Sequence, residues 1–268
     1  SKQLEPLAIS SAFPLLMDIL TTLLQGCAAN VDTFRQRGCE QLLHYLVAES
    51  EIARPPALRV LTQVIYEERN HSDNNVKELV RILRTTEDLS LRKDVLEAFT
   101  HLVVSHPDIK ITFRDSGGFE GILATLATLK GKLTSREESS YAYYESLLYT
   151  VFRLIITVVS SDRSSRIYLK ESIGISSLSQ FMLETGVLNT NPALAITLFF
   201  DLATEYVHPP PPTSDTHYVL LQPTWEDEQR NKASIAFRTL IETPIERRRA
   251  SEKTIFHPWA LVPCIESL

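Results

Sequence analysis

The chain has 268 residues, 44% hydrophobic and 22% charged, with a net charge of −6. That is the profile of an ordinary folded protein large enough for a sizeable core. It argues against a nucleic-acid binder, which carries a basic face; Arg247-Arg248-Arg249 is the one dense basic run. Eight glycines are few for a dinucleotide-binding or barrel enzyme rich in tight turns, so the composition favours an all-α protein. Three cysteines, Cys27, Cys39 and Cys264, are scattered and odd in number, which reads as reduced thiols in a cytoplasmic setting.

Taken in order, the first apolar pattern runs from Phe13 to Leu24, with Pro14 expected in a first helical turn and Gly26 as the C-terminal cap. Phe34-Arg35-Gln36-Arg37-Gly38-Cys39 follows, leading to Leu42-Leu43. Pro55-Pro56 opens a helix through Leu58, Leu61 and Val64. A polar turn from Arg69 to Asn75 separates it from Val76, Leu79, Val80 and Leu83. Leu91, Val95, Leu96, Phe99, Leu102 and Val103 have helical spacing. His106-Pro107 ends that helix, because the residue before proline leaves the α region.

Phe113-Arg114-Asp115-Ser116-Gly117-Gly118 then repeats the earlier Phe-Arg-x-x-Gly corner and leads to Ile122-Leu123. The offset between the corners, 113 − 34 = 79, is about two repeats of the 40–47 residues typical of armadillo and HEAT units. Gly118 is expected to turn the chain between a short helix and a longer one. Leu42-Leu43, Leu79-Val80 and Ile122-Leu123 read as equivalent seams.

A polar insertion occupies 130–140, where Ser135-x-x-Glu138 resembles a capping box that starts a helix over Tyr141–Val159. Its apolar run from Leu147 to Val159 is short for a bilayer and contains Arg153, so a buried inner helix is expected and no transmembrane segment. Tyr168 to Gly174 echoes the corner without its Arg, and Pro192 opens another helix to Tyr206. A Pro-rich loop follows near 208–223, with Pro209–Pro212 incompatible with helix. A last helix is expected from about Trp225 to Glu242. The chain starts on Ser1 and stops within an apolar helical pattern, so it reads as a fragment of a longer polypeptide.

These patterns predict one body over 1–268, a right-handed α-solenoid of degenerate armadillo/HEAT-like repeats. Units of that kind cannot bury their apolar faces alone and must stack. No catalytic, cofactor or metal motif is present: no HExxH, no zinc spacing, and no strand before or Gly-Lys-Ser/Thr after the glycines of 117–121. The expectation is a non-enzyme that needs no cofactor. The third helices of stacked repeats are expected to present Glu40, Gln41, His44, Lys77, Glu78, Arg81, Glu120 and Thr125 to a protein partner. Ser251, beside three arginines, is a candidate phosphosite.

The stretch 98–126, with its Phe113–Leu123 corner, and the later Asn191–Leu194 helix start resemble the N-terminal armadillo-like region of BEACH-domain proteins of the beige and neurobeachin group. The resemblance implies a protein-interaction scaffold segment acting in vesicle or lysosomal trafficking or autophagy. It implies protein partners, other parts of the same full-length chain among them, and peripheral association with endomembranes through that longer protein. The alternative reading is a small-GTPase-binding armadillo regulatory domain of formin type.

Overall fold

A computed structural model describes residues 6–67, 73–160 and 162–204. The expected loop at 208–223, the helix near 225–242, Cys264 and Ser251 lie outside the described residues. Within them the chain is all-helical, with thirteen α-helices, one π-helical turn and no strand. It divides into two compact units, Ser1–Ile122 and Leu123–Leu268.

The first unit holds α1 (Pro6–Leu24), α2 (Ala28–Gln36), α3 (Cys39–Glu49), α4 (Arg54–Glu67), α5 (Asp73–Thr85), α6 (Leu89–Ser105), α7 (Ile109–Asp115) and the start of α8 (Gly118–Thr128). α4 is central: α1, α3 and α6 pack against it, and α5 packs on α6 and α7. Its own Val60, Leu61 and Val64 are fully buried. α1 begins earlier than the apolar pattern suggests, so Pro14 falls inside the helix rather than in its first turn. The helix runs on through it and forgoes one backbone hydrogen bond there.

The Gly corner recurs with one geometry. Gly38 has φ 70°, and α3 starts at the next residue; Gly117 has φ 88°, and α8 starts at the next residue. Both helices are eleven residues long. Gly117, not Gly118, therefore makes the turn. Gly118 is glycine for a different reason: a Cβ there would lie 2.5 Å from the ring of Phe113. Phe113 is fully buried and sits edge-on to Phe99 (centroids 4.9 Å apart) and to Phe119 (6.0 Å). The corner register pairs Leu43 with Ile122, both buried, and leaves Leu42 exposed. The seam is thus offset by one residue from the pairing of Leu42 with Ile122.

Arg54 ties the first unit together. It is only 3% exposed, and donates from Nε to the Val47 carbonyl (3.0 Å) and from Nη2 to Asp88 Oδ2 (2.9 Å), with Nη1 3.5 Å from Asp94 Oδ2. One guanidinium thereby joins the end of α3 and the start of α4 to the start of α6. Asp88 also caps α6, its Oδ1 accepting from Ser90 N (2.8 Å) and Leu91 N (3.2 Å). Burial pushes the Asp88 carboxyl up, but these N–H donors and Arg54 outweigh it and hold it below the ordinary range. Asp94 goes the other way: burial dominates, and the longer contact with Arg54 does not compensate.

The second unit holds α9 (Tyr141–Val159), α10 (Arg163–Tyr168), a π-helical turn (Leu169–Ile173), α11 (Ile175–Thr185), α12 (Val187–Thr190) and α13 (Pro192–Thr204). α9 is long and apolar enough to cross a membrane by length and composition. Here it is a core helix: Leu147, Leu148, Val151, Leu154, Ile155 and Val158 are fully buried, and α10 and α13 pack on it. Gly174 ends the π-helical turn and precedes α11; it shares the positive φ (81°) of the earlier corners, but its ψ of 129° differs from the 21° of Gly38.

The insertion at 130–140 is not a solvated excursion. Gly131 N donates to the Glu184 carbonyl (2.8 Å) and Leu133 N to the Thr185 carbonyl (2.9 Å), while the Leu133 side chain is fully buried. Thr190 Oγ1 donates to the Leu133 carbonyl (2.7 Å). The capping-box expectation fails here. Ser135 Oγ accepts from Glu137 N (3.3 Å) within a turn, and α9 starts later, after Ser140, with no side-chain cap. Asn191 supplies the cap that α13 needs: its Oδ1 accepts from Leu194 N (3.2 Å), its Nδ2 donates to Glu145 Oε1 on α9 (2.6 Å), and Pro192 takes the first helical position.

Candidate functional site

α3 and α5 pack side by side, and their polar residues meet along the seam. The residue that joins them is Asn75, which the sequence placed in a turn and the structure places inside α5, almost fully buried. Asn75 Nδ2 donates to Glu40 Oε1 (2.9 Å). A carboxylate only accepts, so this bond fixes the orientation of the amide. Asn75 Oδ1 then faces His44 Nε2 at 2.9 Å, and the histidine must carry its proton on that nitrogen. Glu40 Oε1 also meets Arg35 Nε at 3.1 Å.

Of the eight expected contact residues, the structure brings five onto this two-helix face: Glu40, His44, Glu78 and Arg81 in or beside the network, with Gln41 exposed next to them. Glu78 and Arg81 form a two-point pair, Nε to Oε2 at 2.8 Å and Nη2 to Oε1 at 2.6 Å. The hydrogen bond from Arg81 holds the Glu78 carboxyl below its usual range, helped by the charges of Arg81 and His44. The same bond raises Arg81. Lys77, on α5, and Glu120, in the first turn of α8, are both exposed. α8 reaches α5 at Gly121, where a Cβ would lie 2.9 Å from Leu83.

Thr125 does not belong to the face. It is fully buried. The Gly117 corner sets Ile122 inward, and Thr125, three residues on, shares that inward side of the helix. Glu40 is half-buried and engaged by Arg35 and Asn75, so its carboxylate serves the α3–α5 seam. The groups turned to solvent are Gln41, Lys77, Arg81 and Glu120. Gln41, Lys77 and Arg81 form a polar ledge on the two helices that the buried amide joins, whereas Glu120 lies on α8. Among the described residues no three His, Cys, Asp or Glu side chains are grouped to hold a metal ion.

Sequence reasoning missed Asn75 and Arg54. Asn74-Asn75 carries a turn signal, and asparagine is a poor helix former, so nothing local marks it as a buried interhelical link. Arg54, just before Pro55-Pro56, looks like a solvated helix start.

No family model matches the chain. A curated relative, BEACH domain-containing protein A2 of Arabidopsis thaliana, is 26% identical over 213 residues, which is 74% of this chain. The chain spans 6% of that relative's length. This is a weak relation to a BEACH-domain-containing protein. An engineered protein of solved structure superposes with a TM-score of 0.45 at 14% identity, covering 99% of this chain and 93% of that one.

Proposed function

We propose that the chain is a non-catalytic scaffold segment of a large BEACH-type protein, built as an α-solenoid of degenerate armadillo-like repeats. Its role is to hold a protein partner, or another part of the same polypeptide, during vesicle or lysosomal trafficking or autophagy. It acts on the cytoplasmic side of endomembranes and meets them only through the full-length protein. No enzymatic step is assigned to it.

The observation that carries this reading is the polar ledge on α3 and α5. A buried amide, Asn75, pins α3 to α5, the helices that carry exposed Gln41, Lys77 and Arg81. A ledge held this way does not have to be ordered when a partner arrives, which removes part of the entropic cost of binding. With Glu78 paired to Arg81, the surface carries both signs, which suits a protein partner more than a polyanion. The repeat reading is supported by the Phe-Arg-x-x-Gly corners at Gly38 and Gly117, each with positive φ and each followed by an eleven-residue helix. The trafficking role is supported by the distant relation to a BEACH-domain-containing protein.

Amine-reactive cross-linking of the chain with its captured partner, read by mass spectrometry, tests the placement. Cross-links from Lys77 are expected. Cross-links confined to Lys130, Lys132 and Lys170, all in the second unit, would reject the α3–α5 ledge as the site.

A further inference from the structure

Among the large apolar side chains of α1 and α3 that stand in solvent, beside Leu15 and Tyr45, are Leu16 (60% exposed), Ile19 (49%), Leu23 (57%) and Leu42 (56%). Leu16, Ile19 and Leu23 are spaced to share one side of α1. Isolated exposed leucines need no explanation, but this set does, because the protein contains a buried copy of it.

The two Phe-Arg-Gly corners place every position of the first grouping at a counterpart 79 residues on, and the copied helices α3 and α8 match in start and length. Leu16 corresponds to Val95, Ile19 to Ala98 and Leu23 to Leu102, all on α6 and 0%, 7% and 2% exposed. The inward positions of α1 agree as well, Leu24 with Val103, both buried. Leu42 corresponds to Gly121, which is buried and lies directly against Leu83 of the preceding α5. What distinguishes α6 and α8 from α1 and α3 is the helical layer before them, since α6 packs on both α4 and α5.

We infer that the exposed face of α1 and Leu42 of α3 receives a further helical layer with the chemistry of α4–α5, a helix pair presenting Leu and Val. The layer comes from polypeptide N-terminal to α1 in the longer protein. The register of an interface already formed once inside the chain identifies the kind of occupant. This inference rests on the repeat reading above and not on the α3–α5 ledge, which faces a different partner.

Hydrogen exchange read by mass spectrometry is the test, run on the 268-residue chain and on the longer native polypeptide carrying the residues before Ser1. Amides of 12–24 are expected to exchange about tenfold more slowly in the longer polypeptide. Leu16→Asp with Leu23→Asp should abolish that difference and leave exchange in α6 unchanged. Equal exchange in the two unmodified polypeptides overturns the inference. Slowing in the 268-residue chain that grows with its concentration assigns the face to a second copy, and overturns it too. Partner binding through the ledge is unaffected by either result, so the two readings fail separately.

Discussion

Gly118→Ala isolates the close approach at the second corner. The new Cβ would meet Phe113 at 2.5 Å, and carbon atoms rest at about 3.5–4.0 Å, so the ring must withdraw by about 1 Å. It has no room to do so, because Phe113 is fully buried between Phe99 and Phe119. Overpacking of this kind costs about 1–3 kcal/mol. The helix-propensity gain of alanine is small at a first helical position, so the net loss stays in that range. Urea unfolding followed by circular dichroism reads it as a lower midpoint at unchanged slope. The decisive step is the cycle with Phe113→Leu, which shortens the ring to a smaller side chain. Gly118→Ala should cost about 1 kcal/mol less in that background. Gly117→Ala, which suffers from its φ of 88°, should cost about 1–2 kcal/mol in either background. Additive effects of Gly118→Ala and Phe113→Leu, or a Gly118→Ala loss below about 0.5 kcal/mol, would refute the steric account.

Arg54→Ala should lower stability by about 2–4 kcal/mol in the same assay, less than for a wholly buried pair because Asp88 and Asp94 keep some solvent. The pH profile should separate those two carboxylates. The folded-state pKa of Asp88 lies below its unfolded value of about 3.9, so its contribution is present above that value and lost as pH falls through the folded pKa. Asp94 is raised, so its contribution has the opposite sign and declines as pH rises from about 4 through its folded pKa. Asp88→Asn should therefore blunt acid unfolding, and Asp94→Asn should not. In the second unit, Asn191→Ala should cost about 1–2 kcal/mol through loss of the α13 cap. Asn191→Asp keeps the cap but sets a carboxylate against Glu145, so it should be destabilised at neutral pH and recover on acidification.

The helices were legible because burial imposes the 3.6-residue period on apolar residues. Leu91 to Val103 and Leu147 to Val159 showed it directly, and both stretches form core helices. His106-Pro107 and Pro55-Pro56 marked helix ends to within a residue through the covalent geometry of proline, whereas Pro14 lies inside α1 and marked none. The glycines were legible only as a corner. Which of Gly117 and Gly118 turns and which makes room depends on where the Phe113 ring lies, a fact of packing. The ledge was half legible for a related reason. Exposed Lys77 and Arg81 follow from helical phase, but Thr125 is buried beside Ile122 and Leu126, on the inward side of α8 that a polar residue does not advertise. Asn75, through Glu40 and His44, and Arg54, through Asp88 and Asp94, join segments that are tens of residues apart, and no local pattern records such pairings.

The central claim, that a protein partner docks on the α3–α5 ledge, is tested most directly by titrating the purified partner into the chain carrying Lys77→Glu with Arg81→Glu. Both side chains are exposed, so loss of the Arg81–Glu78 pair should cost no more than about 1 kcal/mol and leave the chain folded. The dissociation constant is expected to rise by about tenfold or more, since two charges at one contact are reversed. As a control, Arg163→Glu with Lys170→Glu, exposed in the second unit, should leave it unchanged. An unaltered dissociation constant for the Lys77/Arg81 variant, with its fold intact by circular dichroism, would contradict the account.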